Sequence, residues 1–280
     1  MAEPLALTSA ADPATCPTPS GPVLVFDSGL GGLTVLGAIQ ATRPEMPVVY
    51  VADDAGFPYG ALEEAVLVAR VVSLFGRLME TVRPSLVVIA CHTASTLVLP
   101  ALRARFTVPF VGTVPAVKPA AAATATGLVS VLATPGTVAR DYTKALIREF
   151  AGHCEVTLVG SRRLAGLAEA HVRGEPVADD EIAAEIAPCF VTHGDRRTDV
   201  VALACTHYPW LLDRLAALAP WSVTWIDPAP AIARRVTALL GETELAGAGG
   251  GRFVFTSGGL PPQPVRDILA RYGLSSPAQV

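Results

Sequence analysis

Leu86 to Thr96 reads LVVIACHTAST and Val200 to Trp210 reads VVALACTHYPW, and the likeness of these two stretches decides the fold class. Each is an apolar, β-branched run of strand length that stops at Ala-Cys before small hydroxylated residues. Apolar runs of about four to eight residues bounded by turn signals are what strands buried on both faces need, and helix-covered parallel sheets supply such strands. Cys91 and Cys205 then stand at the carboxyl ends of strands. In open α/β sheets ligands bind just outside those ends, so two thiols there suggest a paired-thiol site.

The chain around them alternates strand-like and helix-like segments. PVLVFDSGLGG (Pro22 to Gly32) is a strand running into a glycine turn, followed by a helix over Leu33 to Ala41. A strand at Val48 to Ala52, a loop through Pro58-Tyr59-Gly60 and a helix from about Leu62 to Val82 lead to the Cys91 strand. GLVSVLATPGTVA (Gly127 to Ala139) repeats the plan of the first segment, and its unit also closes on a cysteine strand. The similar intervals from Asp27 to Cys91 and from Thr134 to Cys205 suggest an internal duplication of about a hundred residues. The expected fold is α/β, with two pseudo-symmetric lobes, mainly parallel sheets and an active site in the cleft between them. Residues 1–20 are expected to be a disordered tail, 21–115 plus 227–280 the first lobe, and 116–226 the second.

Composition narrows the function classes. The 280 residues are 51% apolar and 16% charged, enough for one large core or two ordinary ones, and two are expected. A formal charge of -4, a pI near 5.7 and no Lys/Arg cluster interleaved with aromatics argue against nucleic-acid binding. Mean hydropathy is +0.46, yet no stretch of about 18 apolar residues runs free of Pro, Gly or charge, so no membrane span is expected. The first twenty residues lack a basic n-region and a sustained apolar segment, and do not read as a signal peptide. The five cysteines (16, 91, 154, 189 and 205) form no C-x-x-C pair; their odd number, without an export signal, points to reduced thiols in the cytoplasm. Cys16, Cys154 and Cys189 lie outside comparable motifs and read as tail or core thiols. Gly247 to Arg252, GAGGGR, reads as a flexible loop.

An isolated apolar-flanked cysteine is a small core residue; the neighbours of these two change that reading. Cys91 precedes His92, Thr93, Ala94 and Ser95, and Cys205 precedes Thr206, His207 and Tyr208. Hydroxyls and free amides at a strand-to-helix turn bind carboxylates, and the same field lowers a thiol's pKa from about 8.5. A thiolate there takes a proton or attacks carbon. His207 is placed either to orient Cys205 or to bond the turn backbone, and Asp27 either to partner Cys91 or to form an Asx-turn. Ser28-Gly29-Leu30-Gly31-Gly32 lacks the full G-x-G-x-x-G spacing and a P-loop lysine, which ranks nucleotide binding low. Cys91, His92, Cys205 and His207 lack the usual zinc spacings. Lys118 and Lys144, the only lysines, have no persuasive phosphate-binding context for pyridoxal phosphate. No metal and no cofactor are expected.

FDSGLGG, PYG at 58–60, AC-x-TAS around Cys91, ATPGT at 133–137, ACTHYP around Cys205, IDPAPAIARR at 226–235 and RFVFTSG at 252–258 occur in the order found in glutamate racemases, and the chain resembles that family of the aspartate/glutamate racemase superfamily. The resemblance implies a cofactor-independent racemase that interconverts L- and D-glutamate with two bases and supplies D-glutamate for bacterial peptidoglycan. It carries the catalytic cysteines onto Cys91 and Cys205, with Asp27 assisting the first and His207 the second. Glu169, in LAGLAEAHVRGE, matches a further family carboxylate; its plain reading is a helix-face glutamate. Substrate contacts carry over to Asp27, Ser28, Tyr59, Gly60, His92, Thr93, Thr206 and His207, with Thr134 and Thr137 as further candidates. Family members commonly form homodimers.

Two departures stand out. The family usually has Asn after the first cysteine, where this chain has His92, and Ala52 to Gly56 replaces the commoner Gly-Asp-Thr-Ala-Arg. A histidine can also donate an N–H to a carboxylate, yet a bulkier, titratable neighbour can change substrate choice or the pKa of Cys91. Three other readings stay open: a sister racemase acting on aspartate, a hydantoin or another carboxylate; a Cys/His hydrolase or transferase using Cys205 and His207; and a two-lobed binding protein without chemistry. The wording of ACTHYP and FDSGLGG favours glutamate.

Overall fold

The computed structural model describes residues 21–241 and 250–277; the tail, with Cys16, and residues 247–249 of the GAGGGR stretch lie outside the described residues, while Gly251 and Arg252, expected in a loop, begin a strand that pairs with Val48 and Val49. Strands β1 (Val23–Asp27), β2 (Val48–Ala52), β3 (Leu86–Ile89) and β4 (Phe110–Gly112) alternate with helices α1 (Gly32–Thr42), α2 (Glu64–Val82) and α3 (His92–Arg105). After α4 (Val117–Ala123) come β5 (Leu128–Ala133), α5 (Pro135–Ala139), α6 (Asp141–Phe150), β6 (Glu155–Gly160), α7 (Leu164–Val172) and α8 (Asp179–Ile186). A short hairpin of β7 (Thr192–His193) and β8 (Arg196–Arg197) precedes β9 (Val200–Ala204), α9 (Leu212–Leu218) and β10 (Thr224–Ile226). The chain ends with α10 (Ala229–Leu240), β11 (Gly251–Phe255), α11 (Gln263–Arg271) and β12 (Leu274–Pro277).

Two wholly parallel sheets result, six-stranded in the order β12-β11-β2-β1-β3-β4 and four-stranded in the order β10-β9-β5-β6. The expected two-lobed α/β architecture is present. Alternate residues of the first sheet enter separate cores: Val23, Val25, Val48 and Tyr50 pack with α1, α10 and α11, whereas Leu24, Phe26, Val87 and Ile89 pack with α2 and α3. The second sheet divides likewise, Leu132, Val201 and Leu203 against α7 and α8, and Val131, Ala202 and Ala204 against α4. This two-sided burial is why the strand sequences show no polar alternation, and each fully buried Val, Leu or Phe contributes about 1.5–3 kcal/mol.

Helix α2 shows the complementary pattern, burying Leu67, Val71, Leu74, Phe75, Leu78 and Val82 at helical spacing. It starts two residues later than Leu62, because Leu62 and Glu63 are extended after the turn at Tyr59–Ala61. It stops at Arg83, whose φ of 48° is left-handed, and Pro84 follows where the helix could not continue.

Topology places the site. In the first sheet the chain moves from β1 to β2, then crosses back over β1 to β3; in the second it moves from β5 to β6, then crosses back over β5 to β9. Crevices open where strand order reverses. Asp27 closes β1 and Cys91 follows β3; Thr134 follows β5 and Cys205 follows β9. The repeated layout seen in the sequence is thus a repeated switch point.

Candidate active site

Residues from all four strand ends meet at one small cavity of about 20 Å³, lined by Ser28, Phe57, Pro58, Tyr59, Gly60, Cys91, His92, Thr93, Thr134, Ala165, Cys205, Thr206 and His207. That is room for one water. Asp27 and Glu169 stand behind this lining as buried carboxyl groups. Thr137 lies beside it, joined to Thr93 and Thr134 in a hydroxyl cluster with Thr93–Thr134 at 2.9 Å, Thr134–Thr137 at 3.1 Å and Thr93–Thr137 at 3.4 Å. Cys189 is buried in the second-lobe core, where burial pushes its thiol up to about 12, and Cys154 is partly buried elsewhere. Among the described residues no group of three or more His, Cys, Asp and Glu could hold a metal ion.

The two cysteine arms differ. Cys91 caps α3, its Sγ 3.7 Å from Ser28 Oγ. Burial, then the Asp27 charge, push its thiol well up, against the Ala94 amide and Ser28. The helix N-terminus therefore does not produce a resting thiolate here: in this buried position desolvation outweighs the field of the helix. Asp27 is held by the Gly29 N–H at 3.0 Å and by the Thr206 hydroxyl, from the other lobe, at 3.1 Å. Burial raises its pKa, and the nearby His207 limits the rise.

At Cys205 a polar chain runs outward. His207 Nδ1 is 3.9 Å from Cys205 Sγ, and Nε2 is 2.9 Å from Glu169 Oε2. Glu169 also accepts from the Leu30 amide at 3.0 Å and from Arg173 Nη2 at 3.0 Å. Burial opposes charge on both partners, yet Cys205 and Glu169 together hold His207 above its usual pKa, and the hydrogen bond and charge of His207 hold Glu169 below its own. The Gly31 amide also points at Nε2, at 3.3 Å. One nitrogen cannot donate and accept at once, so the contacts belong to different protonation states. Imidazolium donates to Glu169 and faces Cys205; a neutral ring with its proton on Nδ1 accepts from Gly31. Only glycine fits at 31, since a Cβ there would lie 2.4 Å from His207 Nδ1 and 2.6 Å from Thr206 Oγ1.

His92 is 2% exposed, and neither ring nitrogen has a hydrogen-bond partner. Burial pushes its pKa down to about 3; the Val114 backbone opposes this without completing a bond. The ring is neutral, with one donor and one acceptor at the pocket wall.

A sequence model of the Asp/Glu/Hydantoin racemase family matches residues 35–236, which include both Cys91 and Cys205. The chain belongs to the Asp/Glu/Hydantoin racemase family. It is similar to the glutamate racemase of Brucella ovis, 58% identical over 223 residues covering 79% of this chain and 80% of that protein. The structure of Escherichia coli glutamate racemase in complex with L-glutamate and the activator UDP-MurNAc-Ala superposes with a TM-score of 0.83 at 39% identity, covering 91% of this chain and 97% of that one. Glutamate racemase from Thermus thermophilus, in complex with β-chloro-D-alanine, gives a TM-score of 0.69 at 29% identity over 92% and 95% of the two chains. Membership of this family makes the chain an isomerase.

Sequence reasoning passed over two supports of this racemase-family site. Arg173 was legible, since Glu169 and Arg173 are one helical turn apart. The clamp behind Tyr59 was not. The Tyr59 hydroxyl donates to Asp53 Oδ2, which also accepts from Arg70 Nε at 2.5 Å, while Asp53 Oδ1 accepts from Arg70 Nη2 at 2.6 Å and Thr256 Oγ1 at 2.5 Å. Tyr59 therefore meets the pocket with its ring and backbone rather than its hydroxyl. Gly56, where the family has arginine, leaves room for the Arg70 guanidinium, whose Nε is 2.4 Å from a Cβ built there.

Replacing Asp53 by Ala is expected to cost about 3 kcal/mol, the low end for a buried ion pair because Arg70 reaches solvent. Urea unfolding with an unchanged m-value checks this. Burial raises the Asp53 pKa, but Arg70, Thr256 and Tyr59 bring it below the 3.8 of a free aspartate. Its stabilisation is whole above that value and is lost as pH falls through the lowered folded pKa. Melting temperatures of parent and variant should converge toward low pH.

Proposed function

We propose that this chain is a cofactor-independent glutamate racemase that works through Cys91 and Cys205 as paired acid and base, in the cytoplasm, making D-glutamate for peptidoglycan. The observation that carries this reading is the pair of buried thiols at equivalent switch points of two sheets, both lining one cavity, each with a carboxyl group near it. Inversion at carbon needs an acid and a base on opposite faces of the stereocentre, and this arrangement supplies them. The relatives named glutamate racemase, one of them bound to L-glutamate, support glutamate over aspartate or a hydantoin. Residues 21–115 with 227–280 and residues 116–226 serve as the lobes of this reading, and a homodimer as its assembly.

In one direction the thiolate of Cys205, with His207 imidazolium beside it, removes the α-proton: an S–H bond forms, the Cα–H bond breaks and its electron pair passes into the α-carboxylate. Cys91, kept as a thiol by burial, returns a proton to the opposite face, its S–H bond breaking as the new Cα–H forms. The reverse direction exchanges the two roles. Amides at the start of α3 and the Thr93 and Thr134 hydroxyls stabilise the developing carboxylate charge. The substrate ammonium favours ionisation of Cys91 by offsetting Asp27.

His92 contributes its unpartnered N–H to a substrate carboxylate. His92→Phe is expected to raise KM about tenfold or more, the size of a hydrogen bond to a charged group, while leaving thermal stability unchanged or higher, since an unsatisfied buried polar group is removed. His92→Asn should stay within about threefold of the parent, because an amide can also donate. An unchanged KM in the Phe variant would remove His92 from the binding set.

The direct test is circular dichroism of the protein with L-glutamate in deuterated buffer without added cofactor, beside L-aspartate and a 5-substituted hydantoin. Loss of optical activity with deuterium entering Cα of glutamate is expected. A folded protein that racemises only another substrate overturns the glutamate assignment. A hydrolase using Cys205 and His207 leaves a covalent adduct, visible by mass spectrometry, and no deuterium at Cα.

A further inference from the structure

Two lines of contact close the cleft. Along one, the Leu30 and Gly31 amides meet Glu169 and His207, Thr206 donates to Asp27, and Thr34 donates to the Thr206 carbonyl. Along the other, Gly60 packs on Thr134, a Cβ built on the glycine standing 3.0 Å from Thr134 Cβ, the buried Thr93 hydroxyl meets those of Thr134 and Thr137, and farther out Arg140 of the second lobe pairs with Glu64 of the first. The first line is mostly buried. The second ends in an ion pair whose carboxylate side is 67% exposed, where water and salt compete.

The two halves of that pair are unlike. The Arg140 side chain is only 10% exposed, and its Nε has no hydrogen-bond partner. A Cβ built on Gly136 would lie 3.8 Å from Arg140 Nη2, 3.7 Å from the Gly60 carbonyl and 3.5 Å from Thr93 Cγ2. Gly60 and Thr93 line the cavity; Arg140 is not part of that lining but shares Gly136 as a neighbour with both. A planar guanidinium offers donors in a fork that matches a carboxylate, and Glu64 engages it through Nη1, leaving the Nε edge without a partner.

We propose that Arg140 is a specificity-determining residue that receives an anionic substrate at the mouth of the cleft, exchanging the Glu64 carboxylate for one of the substrate's own as the second contact line parts. The proposal deepens the glutamate reading and rests on it for the identity of the anion. A cavity of about 20 Å³ cannot admit an amino acid with two carboxylates, so a contact line must open. The second line has no hydrogen bond to Asp27, Glu169 or His207, its outer end is exposed, and Thr134 and Thr137 keep each other as hydroxyl partners when Thr93 leaves, so it opens at least cost. Glu64 is then an internal competitor: it keeps the guanidinium paired between turnovers and makes neutral side chains poor replacements.

The test uses the full chain as Glu64→Gln, Arg140→Gln and Arg140→Lys, with two readouts. In glutamate racemisation, Glu64→Gln should lower KM several-fold and Arg140→Gln should raise it about tenfold or more, each with kcat within about threefold of the parent. Arg140→Lys should fall between, having charge without the fork. Equal losses of kcat/KM in Glu64→Gln and Arg140→Gln mark a mere structural brace and overturn the proposal. Amide hydrogen exchange without substrate reads the contact line itself: residues 57–64 should exchange faster in both Gln variants, and unchanged exchange overturns the opening line whatever the kinetics. If the parent fails to turn over glutamate but exchange rises as expected, the substrate reading has failed and the contact line stands.

Discussion

Serine at either position 91 or 205 is expected to abolish racemisation, lowering kcat by about 10²–10⁴-fold, the range for losing a positioned acid or base. Each sulfur is nearly buried, at 5% and 7% exposure, and serine is close to isosteric, so the fold survives and the loss reports chemistry. The informative part is what remains. A protein with one thiol can still take a proton from one face, so each variant should wash deuterium into a single enantiomer of glutamate without inverting it, and the two variants should choose opposite enantiomers. Following deuterium by mass spectrometry from pure L- and pure D-glutamate decides it. Exchange of the same enantiomer by both variants, or near-parental racemisation by either, would end the two-base reading.

Glu169→Gln is expected to be the next most damaging change, costing about 10²-fold in kcat, because the carboxylate keeps His207 charged beside Cys205. Without it, only the hydrogen bond and charge of Cys205 oppose the burial that favours the neutral imidazole, so the charged form loses half of its support. The sign in pH follows from both partners. The folded pKa of His207 lies above its free value of 6.5, so its stabilisation is whole below that pH and is lost as pH rises through the raised value. The folded pKa of Glu169 lies below 4.5, so its stabilisation is whole above that pH and is lost as pH falls through the lowered value. The parent should therefore melt highest between about pH 4.5 and 6.5, and the Gln variant should lose that plateau. An unaltered melting profile with unaltered kcat would leave Glu169 a plain helix-face residue, as its sequence alone allowed.

Much of the framework was legible because it is local. β-Branched runs without polar alternation identify parallel strands buried on both faces, as β3 and β9 are, and a thiol one or two residues past such a run must lie at the strand's carboxyl end. The residues next to each cysteine in the chain, His92 and Thr93 in one case and Thr206 and His207 in the other, line the cavity for the same reason.

What crosses the cleft was not legible. Thr206 and Asp27 are 179 residues apart, Leu30 and Glu169 139, and no local pattern pairs them; packing of the two lobes does. Charge state was equally out of reach. The sequence around Cys91 promised an activated thiol at a helix N-terminus, whereas burial beside Asp27 keeps it protonated, and His92 is neutral because burial disfavours its charged form. Residue order thus determined which strands form and which side chains stand at their ends, since those follow from steric and hydrophobic periodicity along the chain. Tertiary structure decided which of those side chains face one another and which carry charge, since both depend on distances and water exclusion set only when the two sheets meet.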